Sequence, residues 1–165
     1  MLIDELDAPA GRVAAALRER GETVAVAEGS AGGLISAALL ALPGASAYFL
    51  GGAVVYTARA NRAWMAGAVE PPPGMRGATE GFADYLARSA AAKLGADWGI
   101  GEAGAAGPAN PYGDPAGHCW IAVASGDLVT TRHLLTGVDE RTRNMVSFGV
   151  AALELFASVL ESGDG

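Results

Sequence analysis

The chain is 165 residues long, with 18 acidic and 11 basic residues, a formal net charge of −7 and 51% hydrophobic content, much of it alanine. A chain of this length closes one core without disulfides or structural metal, so residues 1–165 are expected to form one domain, and its few scattered Lys and Arg argue against nucleic-acid binding. The lone Cys119 excludes an internal disulfide, no run of eighteen strong apolar residues marks a membrane span, and the early acids do not suit a signal peptide, so a cytoplasmic chain with no membrane partner is expected.

In chain order, Asp4 to Arg20 has Leu6, Val13, Ala14 and Leu17 on one side and arginines on the other, which predicts an amphipathic helix closed by Gly21. Thr23 to Ala27 alternates valine with alanine and carries no charge until Glu28, the pattern of a strand covered on both faces. It breaks into Gly29-Ser30-Ala31-Gly32-Gly33 and re-enters a helical pattern to Leu42, which Pro43-Gly44 ends. A strand-turn-helix corner of this kind lies at the carboxyl edge of an α/β sheet, where free N–H groups and the helix dipole favour an anionic or polar ligand. Equally, a tight strand-to-helix connection alone accounts for the glycines, so the motif is weak by itself.

Ala47 to Tyr56 predicts a strand interrupted by Gly51-Gly52 and centred on Val54, Val55 and Tyr56, followed by a helix around Ala60 to Ala66. Glu70 to Gly77, with three successive prolines, predicts a stiff surface connection. Thr79 then caps a helix with Phe82, Leu86, Ala90 and Leu94 on its apolar face, stopped by Gly95. Trp98 to Ala103 predicts a strand running into a second glycine turn, Gly104-Ala105-Ala106-Gly107-Pro108, and two such turns make a shared ligand crevice more plausible. Ala109 to Gly117 is irregular, as a lid or site wall is; Cys119 to Ala124 and Leu128 to Leu135 predict a hairpin, and Val138 to Leu160 a long closing helix before a frayed end at Ser162–Gly165. This order predicts an α/β fold, a three-layer α/β/α sandwich on a mixed, mostly parallel sheet.

Adjacent residues of a strand face opposite ways, so His118 and Cys119 cannot form a Cys–His pair, and Cys119 is read as a small core residue. The only other imidazole is His133, and no carboxylates stand at ligand spacing around either one, so no metal site is expected. Trp64, Trp98 and Trp120 are read as packing residues.

Six blocks in order resemble one family closely. They are Ala27-Glu28-x-x-x-Gly32-Gly33; Pro43-Gly44-Ala45-Ser46-Ala47-Tyr48-Phe49-x-Gly51-Gly52; Val55-Tyr56; Lys93-Leu94-Gly95-Ala96-Asp97; Gly104-x-Ala106-Gly107-Pro108; and Pro115-x-Gly117-x-x-Trp120-Ile121-Ala122. The family is the C-terminal domain of the competence/damage-inducible protein CinA, whose standalone members are nicotinamide mononucleotide (NMN) deamidases. The resemblance implies a small-molecule ligand of the pyridine-nucleotide class, no cofactor, and a homodimer or larger homo-oligomer.

It also implies a catalytic set that this chain departs from. In the family the opening turn reads Ala-Glu-Ser-Cys-Thr-Gly-Gly and its serine attacks the nicotinamide carboxamide; here that position is Gly29, which has no attacking atom. Ser30 takes the cysteine position and Ala31 the threonine. The family lysine that supports proton transfer falls on Asn61, a neutral amide, and the neighbouring Arg62 stays protonated. Ala103, Asp114 and Gly137-Val138-Asp139 replace a Ser or Thr, a Lys and a Gly-Asp-Arg.

The candidate catalytic residues are therefore Ser30, as a relocated nucleophile or simply a helix cap, and Tyr56, as a proton donor or ligand orienter or simply a sheet aromatic. Candidate ligand contacts are Glu28, Gly29, Gly32, Gly33, Asn61, Gly104, Gly107 and Pro108, with Glu28 either holding a ribose hydroxyl or standing solvated. Three functions fit: a crevice with little or no NMN deamidase activity; an amidohydrolase acting on another amide through Ser30 or a Glu28-activated water; and an interaction or oligomerisation module with no small ligand.

Overall fold

A computed structural model describes residues 3–108 and 110–163. Five strands form one sheet in the order β2-β1-β3-β4-β5: β1 (Val24–Glu28), β2 (Phe49–Val54), β3 (Trp98–Ala105), β4 (His118–Ser125) and β5 (Leu128–Leu135). β1 pairs in parallel with β2 and β3, and β4 pairs antiparallel with β3 and β5, so β4 alone runs against the other four. β1 lies in the middle of the parallel half and all five of its residues are buried, as its uncharged valine–alanine pattern requires.

α1 (Asp4–Arg20), α2 (Leu34–Leu40) and α5 (Arg141–Glu161) cover one face of the sheet, and α3 (Ala58–Trp64) and α4 (Glu80–Leu94) the other, which gives the expected three layers. α5 is long and apolar enough to cross a membrane by length and composition. Here it is the main core helix, with Phe148, Leu153 and Phe156 fully buried and Trp98 of β3 against Phe156. On the other face α4 lies almost on the sheet backbone: a Cβ at Gly99 would stand 1.8 Å from the carbonyl oxygen of Ala87, and one at Gly101 2.0 Å from that of Ala83. Only glycine allows that approach.

Helix ends follow their local signals. Gly21 and Gly95 close α1 and α4 in the left-handed conformation, and the Thr79 hydroxyl accepts from Phe82 N. Gly126-Asp127 makes the two-residue hairpin loop, with Gly126 at φ +57°.

Four local expectations are corrected. Ser30 is not a helix cap; α2 starts three residues later, behind Gly33 at φ +98°. β2 ends at Val54, so Tyr56 is not a sheet aromatic but a loop residue, 61% exposed. Gly104 lies inside β3 opposite Cys119, and the second turn begins only at Ala106. Leu94, expected on the apolar face of α4, is half-exposed because the helix overhangs the sheet edge at β2. Ala109 of the predicted loop and Asp164-Gly165 of the predicted frayed end lie outside the described residues.

Candidate functional site

The carboxyl ends of β1 and β3 each carry a buried glutamate, and the two side chains organise the glycine turn between β1 and α2. Glu28 accepts hydrogen bonds from Gly33 N (2.8 Å), Ile35 N (3.1 Å), Ser36 N (2.9 Å) and Ser36 Oγ (2.8 Å). Glu102 accepts from Gly29 N (3.0 Å), Ala31 N (2.8 Å), Ser30 Oγ (2.5 Å) and Cys119 Sγ (3.4 Å). Both glutamates are fully buried. Glu28 is thus neither a solvated carboxylate nor open to a ribose; it caps α2 from below.

Burial pushes both carboxyls above the usual carboxylate range, with the donated bonds opposing the shift and the charge of Glu28 adding to it at Glu102. Burial and the neighbouring Glu102 also drive the Cys119 thiol well up, which makes it inert. His118 and Cys119 do face opposite ways: the thiol reaches Glu102, while the imidazole reaches His133 and Ala78.

The remaining glycines of the turn serve packing. Gly32 is at φ +68°, and a Cβ there would lie 2.6 Å from the Met145 methyl on α5; a Cβ on Gly33 would meet Val54. At Gly29 a Cβ would meet only the carbonyl oxygens of Glu102 and Val55, both at 3.4 Å, so this position admits a Cβ without a clash.

An open cleft of about 380 Å³ lies beside this turn, between the segment after β2, the start of α3, the irregular strap before α4 and the loop after β3. Val55, Tyr56, Asn61, Arg76, Ala78, Phe82, Gly104 and Tyr112 are among its walls. Of the predicted residues, Tyr56, Asn61 and Gly104 line it, whereas Glu28, Gly29, Ser30, Gly32 and Gly33 form the turn next to it. Gly107 and Pro108, joined by a cis peptide, are not among its lining residues.

Two arginines around the cleft lie outside the predicted set. Arg141, the first residue of α5, donates to Gly107 O (2.6 Å) and to the Tyr56 hydroxyl (2.8 Å), so one guanidinium joins the loops after β2 and β3. Arg76 pairs with Asp114 at 3.2 Å, with its guanidinium 4.7 Å from the Tyr112 ring centre, and closes the strap against the 110–114 loop. The Asn110 amide, and then Arg76, hold the Asp114 carboxyl below its usual range. Of the predicted residues, Asn61 has its Oδ1 buried with no hydrogen-bond partner. No spacing in the chain could have announced Arg141, since its partner Tyr56 is 85 residues away.

Among the described residues no group of three or more His, Cys, Asp or Glu side chains is placed to hold a metal ion.

Comparison with known proteins agrees with this architecture. Residues 6–160 match the model of the CinA C-terminal domain family. A CinA-like protein of Synechocystis sp. is 35% identical over 143 residues, covering 86% of this chain and 34% of that protein, and one of Myxococcus xanthus is 35% identical over 144 residues, covering 83% and 33%. The chain thus spans about a third of the length of these curated relatives. A crystal structure of a CinA superfamily protein from Klebsiella pneumoniae superposes with a TM-score of 0.86 at 25% identity, covering 94% of this chain and 98% of that one. On sequence, fold and extent of match, the chain belongs to the CinA C-terminal domain family.

Proposed function

We propose that this protein is a small-molecule-binding CinA-type domain that keeps the family cleft, with a pyridine nucleotide as the expected ligand class, and has little or no NMN deamidase activity. The observation that carries this reading is the direction of the Ser30 hydroxyl, which is committed to the buried Glu102 and does not line the cleft. With glycine at position 29 and a neutral amide at position 61, the cleft has neither the attacking hydroxyl nor the proton-accepting amine that the family resemblance calls for. Glu28 fares no better as an activator of water, because its oxygens already accept four bonds inside the protein.

What supports retained binding is the set of polar groups still turned to the cleft. Asn61 forms part of the wall, the exposed Tyr56 carries its hydroxyl to Arg141, and Phe82 and Tyr112 offer apolar surface for a flat ring.

The test is ammonia release from NMN by the purified chain, compared with the double variant Gly29→Ser, Asn61→Lys. Wild type is expected at background and the double variant above it, since a Cβ at position 29 meets no atom closer than 3.4 Å. Wild-type turnover at the level of a catalytically complete family member refutes the proposal. A melting-temperature rise with NMN separates a binding domain from a ligand-free interaction module.

A further inference from the structure

His118 opens β4 and His133 lies in β5. The hairpin register pairs His118 with Leu135 and Trp120 with His133, so the two imidazoles are diagonal neighbours. His118 Nδ1 and His133 Nε2 are 2.7 Å apart, and His118 Nε2 is 2.9 Å from the carbonyl oxygen of Ala78. A carbonyl can only accept, so His118 carries its hydrogen on Nε2 and turns the lone pair of Nδ1 toward His133.

This is the outer-shell arrangement of a metal-binding histidine: the distal N–H on a backbone carbonyl fixes both tautomer and ring orientation. The second ring is oriented too. His133 stacks on Trp120, with centroids 4.8 Å apart and planes 29° from parallel, and it is exposed to solvent. Two imidazole nitrogens bound to one ion at about 2.0–2.1 Å in neighbouring positions stand about 3 Å apart, close to the 2.7 Å present here, and a turn of the exposed His133 ring off the hydrogen-bond line aims both lone pairs at one ion. Glu80, bonded to the Thr131 hydroxyl two residues before His133, adds negative charge on that side of the hairpin.

We propose that His118 and His133 form a two-imidazole site for a late first-row divalent ion, with water in the remaining positions. Imidazole nitrogen suits Cu²⁺, Ni²⁺ and Zn²⁺, and Cu²⁺ binds tightest. On binding, neutral His133 moves its hydrogen from Nε2 to Nδ1, and two nitrogen-to-metal bonds replace two metal-bound waters and the hydrogen bond between the rings. No proton is released from the neutral pair. The bond from His118 to Ala78 persists, so the ion ties β4 and β5 to the cleft wall at Ala78, a non-glycine residue at φ +55°. Linear spacing hides this site, because fifteen residues separate its ligands and only strand pairing brings them together.

The full chain is titrated with Cu²⁺ by calorimetry, and the one-to-one complex is examined by electron paramagnetic resonance. A single saturable site with coupling to two imidazole nitrogens is expected. His133→Ala, at an exposed position, and His118→Ala are each expected to weaken binding by at least about tenfold. Zn²⁺ is expected to raise the melting temperature of wild type and not of His133→Ala, a readout independent of any activity. Absence of saturable binding at micromolar Cu²⁺, or unchanged affinity and nitrogen coupling in His133→Ala, overturns the proposal.

Discussion

The turn between β1 and α2 and the cleft beside it are built from neighbouring pieces of chain but satisfy their polar groups in opposite ways. In the turn, the N–H groups of Gly29, Ala31, Gly33, Ile35 and Ser36 all end on two buried carboxylates. In the cleft, Asn61 Oδ1 ends on nothing, and Tyr56 stands mostly in solvent. A glycine-rich corner after a strand is therefore no proof of a ligand cradle, since the protein can fill the cradle with its own acids.

The most forceful way to break this contrast is Glu102→Ala. It leaves the buried Ala31 N–H and the Ser30 hydroxyl without an acceptor, while Gly29 N–H keeps its bond to the backbone carbonyl of residue 102, and we expect a loss of roughly 2–4 kcal/mol in chemical denaturation. A loss below about 1 kcal/mol means the clamp is not what holds the turn.

The second test is pH. Burial raises both Glu28 and Glu102 above the ordinary value of 4.5. The folded chain then keeps protons that the unfolded chain has released, so stability falls as pH climbs from about 4.5 through the folded values and levels off above them. Asp114, Glu22 and Glu161 are held low and act on the acid side of that window, where stability drops as pH falls. Urea midpoints measured from pH 4.5 to 8 should decline, and less steeply in Glu102→Gln; a rise across the window contradicts the assignment.

Smaller effects belong to the cleft. Arg141→Ala removes the bridge between Gly107 O and Tyr56, at an exposed site, and should cost about 1 kcal/mol, read as a drop of roughly 2–4 °C in melting temperature. Asn61→Leu removes an acceptor that has no partner and should be neutral or stabilising by up to about 1 kcal/mol. If it destabilises the chain as much as Glu102→Ala does, the distinction between saturated turn and open cleft is wrong.

Much of the architecture was legible along the chain. Helical spacing located α1, α4 and α5, the left-handed glycines at 21 and 95 marked two helix ends, and Gly126-Asp127 marked the hairpin. These are local signals: periodicity and backbone conformation depend on residues a few positions apart. The misreadings were local in appearance only. Ser30 has the chemistry of a cap, yet its hydroxyl found a stronger acceptor 72 residues away. Gly104 looks like a turn residue, yet within β3 it faces the backbone of His118 and Cys119 so closely that a Cβ would stand 2.6 Å from a carbonyl oxygen.

The sequence by itself determined the order of elements, the glycine corner after β1, the uncharged central strand and the presence of glycine and asparagine at positions 29 and 61. Tertiary structure alone decided that Glu102 reaches Gly29 across 73 residues, that Arg141 reaches Tyr56 across 85, and that His118 meets His133. The reason is geometric: strand order and register choose which distant side chains share a few ångströms, and no local period encodes that choice.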